Sequence, residues 1–154
     1  MNGFKVVIPA RMGSSRFYGK PLVPILGRAM VLRVVDQALS ANADEVIVAT
    51  DHADIAQVVN DAGFNAHMTD EHHPSGTDRI AQVAIERAWV DDAIVVNVQG
   101  DEPAIAPELI RAVAQALHDD ADCVMATAAH PLHTTADFFN QNMVKVVLDN
   151  QKRA

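Results

Sequence analysis

The sequence predicts an α/β protein built on an open, mostly parallel sheet. Three observations carry this. The apolar runs are short, continuous and rich in Val and Ile, as in strands buried on both faces. Segments with helical spacing lie between them. The two kinds of segment alternate along the chain, which implies parallel strands joined by right-handed crossovers. The 154 residues suit one domain, residues 1–154, large enough to bury a core without disulfides or a structural metal.

The expected strands are FKVVIPA (4–10), EVIVATD (45–51), AIVVNVQ (93–99), DCVMATAA (122–129) and MVKVVLD (143–149). The first expected helix spans 30–40, where Val31, Val35 and Ala38 share a face with Leu32 and Leu39 beside them. The second spans 53–62 and stops at Gly63, a natural helix end. The third spans 78–88, with Ile80, Val83, Ala84 and Arg87 at steps of three and four. The fourth spans 107–118, carrying Ile110, Val113, Ala114 and Leu117, with Pro107 suited to its first position. Open α/β sheets bind ligands outside the carboxyl ends of their strands. That rule nominates loops 10–20, 50–52, 69–77 and 99–103.

Composition narrows the function. Hydrophobic residues make up 49% and charged residues 21%, as in an ordinary globular protein. A net charge of −8 argues against general binding to nucleic acid or an anionic membrane. The lone cysteine, Cys123, lies in an apolar run and is expected to be a buried thiol, which suits a reducing compartment. No stretch reads as a signal peptide or as the ~20 apolar residues of a membrane span. The expectation is a soluble cytoplasmic protein.

Charge is unevenly spread. Half of the 12 basic residues and none of the 20 acids fall before Asp36. The loop ARMGSSRFYGKP (10–21) follows the first strand and carries Arg11, Arg16 and Lys20 around Gly13, Ser14 and Ser15. Small residues let backbone N–H groups approach an anion, arginine forks phosphate oxygens, and lysine adds a mobile charge. The loop has neither a P-loop nor a dinucleotide-binding pattern. It reads either as a polyphosphate site or as an exposed loop with solvating charges.

VNVQGDEP (96–103) ends a buried strand in Gln99, Gly100 and Asp101. Asp101 reads as a Mg²⁺ ligand beside a nucleotide, or as part of a Gly-Asp-Glu-Pro turn. In HHPSGTDR (72–79), Ser75 or Thr77 caps the next helix with Asp78 in its first turn, and the helix start can also meet a ligand. Arg79 reads as a surface residue or as a support for the site. Asp51 reads as a helix cap or, less fittingly, as a phospho-acceptor. His72 with His73, and His130 with His133, lack the partners of a zinc site and read as surface residues.

IPARMGSSRFYGKPL, VIVATDH, SGTDR, VNVQGDEP and VKVVLD, taken in this order, resemble the CMP-Kdo synthetases, the 3-deoxy-manno-octulosonate cytidylyltransferases, along essentially the whole chain. Lys20-Pro21-Leu22 is more like this branch than the sialic-acid cytidylyltransferases. The resemblance implies a Rossmann-like sheet of the nucleotide-diphospho-sugar transferase type. It implies attack of the anomeric hydroxyl of Kdo, an acidic eight-carbon sugar, on the α-phosphate of CTP. The products are CMP-Kdo, for lipopolysaccharide synthesis, and pyrophosphate.

Carried over by position, Arg11 and Lys20 hold the CTP phosphates with Arg16 and Ser14 in the same loop. Ala10, Ser75 and Gly76 read the cytosine end, Arg79 supports the nucleotide, Gln99 lies beside nucleotide and sugar, and Asp101 ligates Mg²⁺. Phe17-Tyr18, Pro74, Asp78 and Gln141 depart from the family's usual residues. Family members are longer, so the chain is expected to be an N-terminal portion with the CTP half-site, little activity of its own, and most of the sugar pocket and a homodimer interface elsewhere. The other expected readings are transfer to another acidic sugar such as sialic acid, and a non-catalytic nucleotide-binding module.

Overall fold

The computed structural model describes residues 3–13, 17–150 and 153–154. The elements run β1 (Lys5–Ala10), a 3₁₀ turn (Lys20–Leu22), β2 (Pro24–Ile25), β3 (Arg28–Ala29), α1 (Met30–Ser40), β4 (Glu45–Thr50), α2 (Ala53–Asp61), β5 (Asn65–Met68), α3 (Gly76–Glu86), β6 (Val95–Asn97), α4 (Pro107–Asp119) and α5 (Thr135–Phe139).

β5, β4, β1 and β6 form a four-stranded sheet in that order. Every pairing is parallel, with Val6 opposite both Val46 and Val96. Side chains alternate across the sheet with the period of two that strand geometry dictates. Val6, Ile8, Val46 and Val48 pack on one face against Val31, Val35, Ile55, Val59, Ile110 and Ala114. Val7, Ile47 and Ala49 pack on the other against Ile80 and Val83. Thus α1, α2 and α4 cover one face and α3 the other, which is why the central strands read as unbroken apolar runs.

The topology locates a crevice. From β1 the chain moves to β4 and then β5 on one side, and returns to the far side of β1 as β6. The order reverses between β1 and β6, and the loops leaving these two strands diverge there.

The α/β class and the parallel sheet are as expected. Four helices begin within two residues of their expected starts, with Pro107 at the start of α4 and Gly63, at φ 81°, just past α2. Two expected strands are not formed. DCVMATAA and MVKVVLD carry no ladder, and Val124 and Val144 are 97% and 94% exposed. Strand-forming side chains make a strand only when a neighbouring strand and a packed face are present. Cys123 is half-buried rather than buried. Partial burial is the leading cause that pushes its thiol pKa up, which makes it a weak nucleophile.

The short helix α5 was not expected, and neither were two strand features. β5 (NAHM) has no apolar run, and it pairs with β4 at the edge of the sheet. β2 and β3 form a short antiparallel hairpin whose turn places Leu26 and Gly27 at φ 48° and 77°.

Candidate functional site

Six basic residues precede the first acid, but they do not form one site. Lys5 lies over the Trp89 ring at 5.3 Å. Arg28 forks the Asp36 carboxylate at 2.9 Å, and Arg33 donates to the carbonyls of Ile25 and Leu26. Among the described residues, Arg11 and Lys20 remain for the crevice. Ser14 and Arg16, the other two cation-loop candidates, lie outside the described residues.

A cleft of about 410 Å³ opens at the β1/β6 switch point. Its wall includes Ala10, Arg11 and Lys20 from the first loop, Ser75, Gly76 and Arg79 from the start of α3, and Gln99 and Asp101 after β6. Each sequence-nominated site residue that the structure describes therefore lines one cleft. Phe17, His73, Pro74 and Gly100 line it too. All four fall in loops that the strand-end rule nominated, 10–20, 69–77 and 99–103, though none was singled out as a site residue.

Local structure explains the convergence. Met12 is buried, and the Gly19 N–H donates to its carbonyl at 3.0 Å, which closes the cation loop at its base. Two glycines let the other walls approach β1. A Cβ on Gly100 would lie 2.8 Å from the Pro9 carbonyl oxygen, and one on Gly76 would lie 3.3 Å from Pro9 Cγ. Ser75 caps α3. Its Oγ accepts from the Asp78 N–H at 3.2 Å and donates to the Asp78 carboxylate at 2.5 Å. The α3 N-terminus, with its partial positive charge, thus opens on the cleft.

Lys20 Nζ donates to Asp101 Oδ2 at 2.7 Å and ties the first loop to the β6 loop across the mouth. Arg79 is 3% exposed; it donates to Thr69 Oγ1 and, at 2.6 Å, to Asp51 Oδ2. Asp51 therefore does not cap α2. His52 does so, its Nδ1 accepting from the Asp54 N–H at 3.3 Å. Among the described residues no three His, Cys, Asp or Glu side chains cluster as metal ligands. His73 bonds Gln82 at 2.6 Å at the cleft wall. Among the described residues no helix is long and apolar enough to cross a membrane.

A cytidylyltransferase family profile matches residues 5–154. The chain belongs to the cytidylyltransferase family. Among solved structures, a CMP:2-keto-3-deoxy-manno-octonic acid synthetase complexed with CTP is 44% identical, with a TM-score of 0.70 over 76% of this chain and 48% of that one. Two others share the fold of this chain. A nucleotidyl transferase from Methanothermobacter is 24% identical (TM-score 0.63, 75% of this chain, 58% of that one). A cytidylyltransferase from Leptospira borgpetersenii is 19% identical (TM-score 0.64, 77% and 50%). The chain spans about half the length of the structures it matches.

Proposed function

We propose that residues 1–154 are the nucleotide-binding domain of a CMP-Kdo synthetase, which activates Kdo with CTP. One observation carries the reading. Loops far apart in sequence bring Arg11, Lys20, Ser75, Gly76, Gln99 and Asp101 to a single cleft at the switch point. The 44% identity to a synthetase complexed with CTP supports it.

In this reading the triphosphate lies against Arg11 and Lys20, with Ser14 and Arg16 in the same phosphate loop. Ala10, Ser75 and Gly76 face the cytosine and ribose, and Arg79 braces that wall. Gln99 lies between nucleotide and sugar. The sugar's anomeric oxygen bonds to the α-phosphorus as the bond from that phosphorus to the α,β-bridging oxygen breaks. Pyrophosphate leaves with the electron pair, and the hydroxyl proton passes to solvent. Such a reaction asks the protein for in-line placement and charge balance rather than covalent catalysis. Lys20 and Arg11 would stabilise the departing pyrophosphate.

Asp101 would hold Mg²⁺. Its carboxylate is half exposed, and Mg²⁺ commonly uses one or two carboxylates together with substrate phosphates. The donor set therefore fits a cation that arrives with the nucleotide. When bound, it would offset charge on the phosphates. Most of the sugar pocket and a homodimer contact would belong to parts of the enzyme other than this cleft.

Titration calorimetry with CTP and Mg²⁺ tests the reading. Wild type should bind, and Arg11→Ala and Lys20→Ala should each weaken binding by roughly 10-fold or more, the worth of a charge-assisted phosphate contact. Unchanged affinity in both variants would overturn the site. Product analysis with Kdo and with sialic acid in an enzyme carrying this domain separates the two acceptors.

A further inference from the structure

The buried polar residues among the described ones are Thr50, Thr69 and Arg79, and all three belong to one network. Arg79 donates to Thr69 Oγ1 and to Asp51 Oδ2. The Thr69 hydroxyl and backbone N–H both donate to the Thr50 carbonyl, at 3.1 and 2.8 Å. The network joins the carboxyl end of β4, the residue just past β5, and the first turn of α3. Arg79 also forms part of the cleft wall.

This arrangement is costly for packing alone. A buried guanidinium must be matched by a carboxylate and hydrogen bonds. A cation in a helix's first turn also faces the unfavourable end of the dipole. An apolar side chain would fill the same space at less cost. What the network adds is placement: Ser75 and Gly76 lie on the same turn as Arg79 and are fixed to the sheet through it.

We propose that Asp51 and Thr69 are positioning residues for nucleoside recognition. They touch no ligand. They hold Arg79, and through it the α3 start, so that Ser75 and Gly76 meet the cytosine-ribose end of CTP. Asp51 balances the Arg79 charge, which leaves Arg11 and Lys20 to the phosphates. The inference rests on the proposed reading of the cleft.

Calorimetry with two probes, CTP and inorganic pyrophosphate, both with Mg²⁺, tests it. Asp51→Asn and Thr69→Val should each weaken CTP binding about 10-fold, or 1.4 kcal/mol. Pyrophosphate affinity should stay within about twofold, since its ligands are untouched, and Thr69→Ser should restore CTP binding to within about threefold. Asp51→Asn binding both probes more tightly would overturn the proposal, because a released Arg79 would then be a phosphate ligand. Equal weakening of both probes, or unchanged CTP affinity, would overturn it too. If Asp51→Asn fails to fold, the Thr69→Val and Thr69→Ser pair decides alone. Absence of CTP binding by wild type overturns the reading of the cleft and this inference with it; wild-type binding with any of the failures above overturns the inference alone.

Discussion

Replacing Gly100 by alanine should disturb the cleft without removing any functional group. The added Cβ would stand 2.8 Å from the Pro9 carbonyl oxygen, 3.6 Å from Ala10 Cβ and 3.7 Å from Ile8 Cγ2. The last two are ordinary contacts. The first is not, since carbon–oxygen contacts of this kind settle near about 3.3–3.6 Å. Pro9 belongs to β1 and its oxygen cannot rotate aside, so the two backbones must part by roughly 0.5 Å or more. Overpacking of this size costs about 1–3 kcal/mol. At roughly 2–4 °C per kcal/mol for a domain of this length, Tm should fall by about 2–12 °C in scanning calorimetry. Gln99 and Asp101 flank the displaced residue, so CTP affinity should fall by about 10-fold as well. A variant with Tm within about 1 °C of wild type and unchanged CTP affinity would refute the claim that Gly100 sets the spacing of these two loops.

Asp101→Asn releases Lys20 from its ion pair, so metal-free pyrophosphate should bind several-fold more tightly while the Mg²⁺ enhancement of CTP binding is lost; calorimetry with and without EDTA checks both signs. Ser75→Ala removes the α3 cap and should cost about 1 kcal/mol, read as a Tm drop of roughly 2–4 °C. His72 and Asp70 give a pH signature. The hydrogen bond to Asp70 raises the His72 pKa above 6.5, and the His72 backbone hydrogen bond is the leading cause that lowers the Asp70 pKa below 3.8. The His72 contribution is complete below 6.5 and fades as pH rises through its raised value. The Asp70 contribution is present above 3.8 and fades as pH falls through its lowered value. The Tm difference between wild type and His72→Ala should therefore peak at about pH 5, and a difference that grew above neutrality would contradict the pairing.

The sheet was legible where its strands are buried on both faces. β1, β4 and β6 announce themselves as Val- and Ile-rich runs because α1, α2 and α4 cover one side and α3 the other. β5 was hidden because it is nowhere fully buried, with Asn65 and Met68 exposed and Ala66 and His67 half-buried, so it needs no apolar run. The β2–β3 hairpin turns through Leu26-Gly27, a pair without the usual asparagine or aspartate signal. DCVMATAA and MVKVVLD have strand composition, and the missing ingredient is a partner, which composition does not reveal.

The cleft was legible because strand-end loops, small residues and charge coincided in three short segments. The role of Asp51 was not. Its partner Arg79 is 28 residues away, and nothing in either segment signals the pair before β4 and α3 are packed together. The acid-free opening overstated the cation site for the same reason. Arg28 and Arg33 find their partners within the hairpin and α1, which only the fold brings near them.

The most direct test of the central claim is a crystal of this chain soaked with CTP and Mg²⁺. Nucleotide density should fill the β1/β6 cleft, with phosphates against Arg11 and Lys20, a metal at Asp101, and the base and ribose along Ala10 and the Ser75–Gly76 turn. Nucleotide bound elsewhere on the molecule, or in the cleft with its base toward Lys20 and its phosphates toward Ser75, would contradict it.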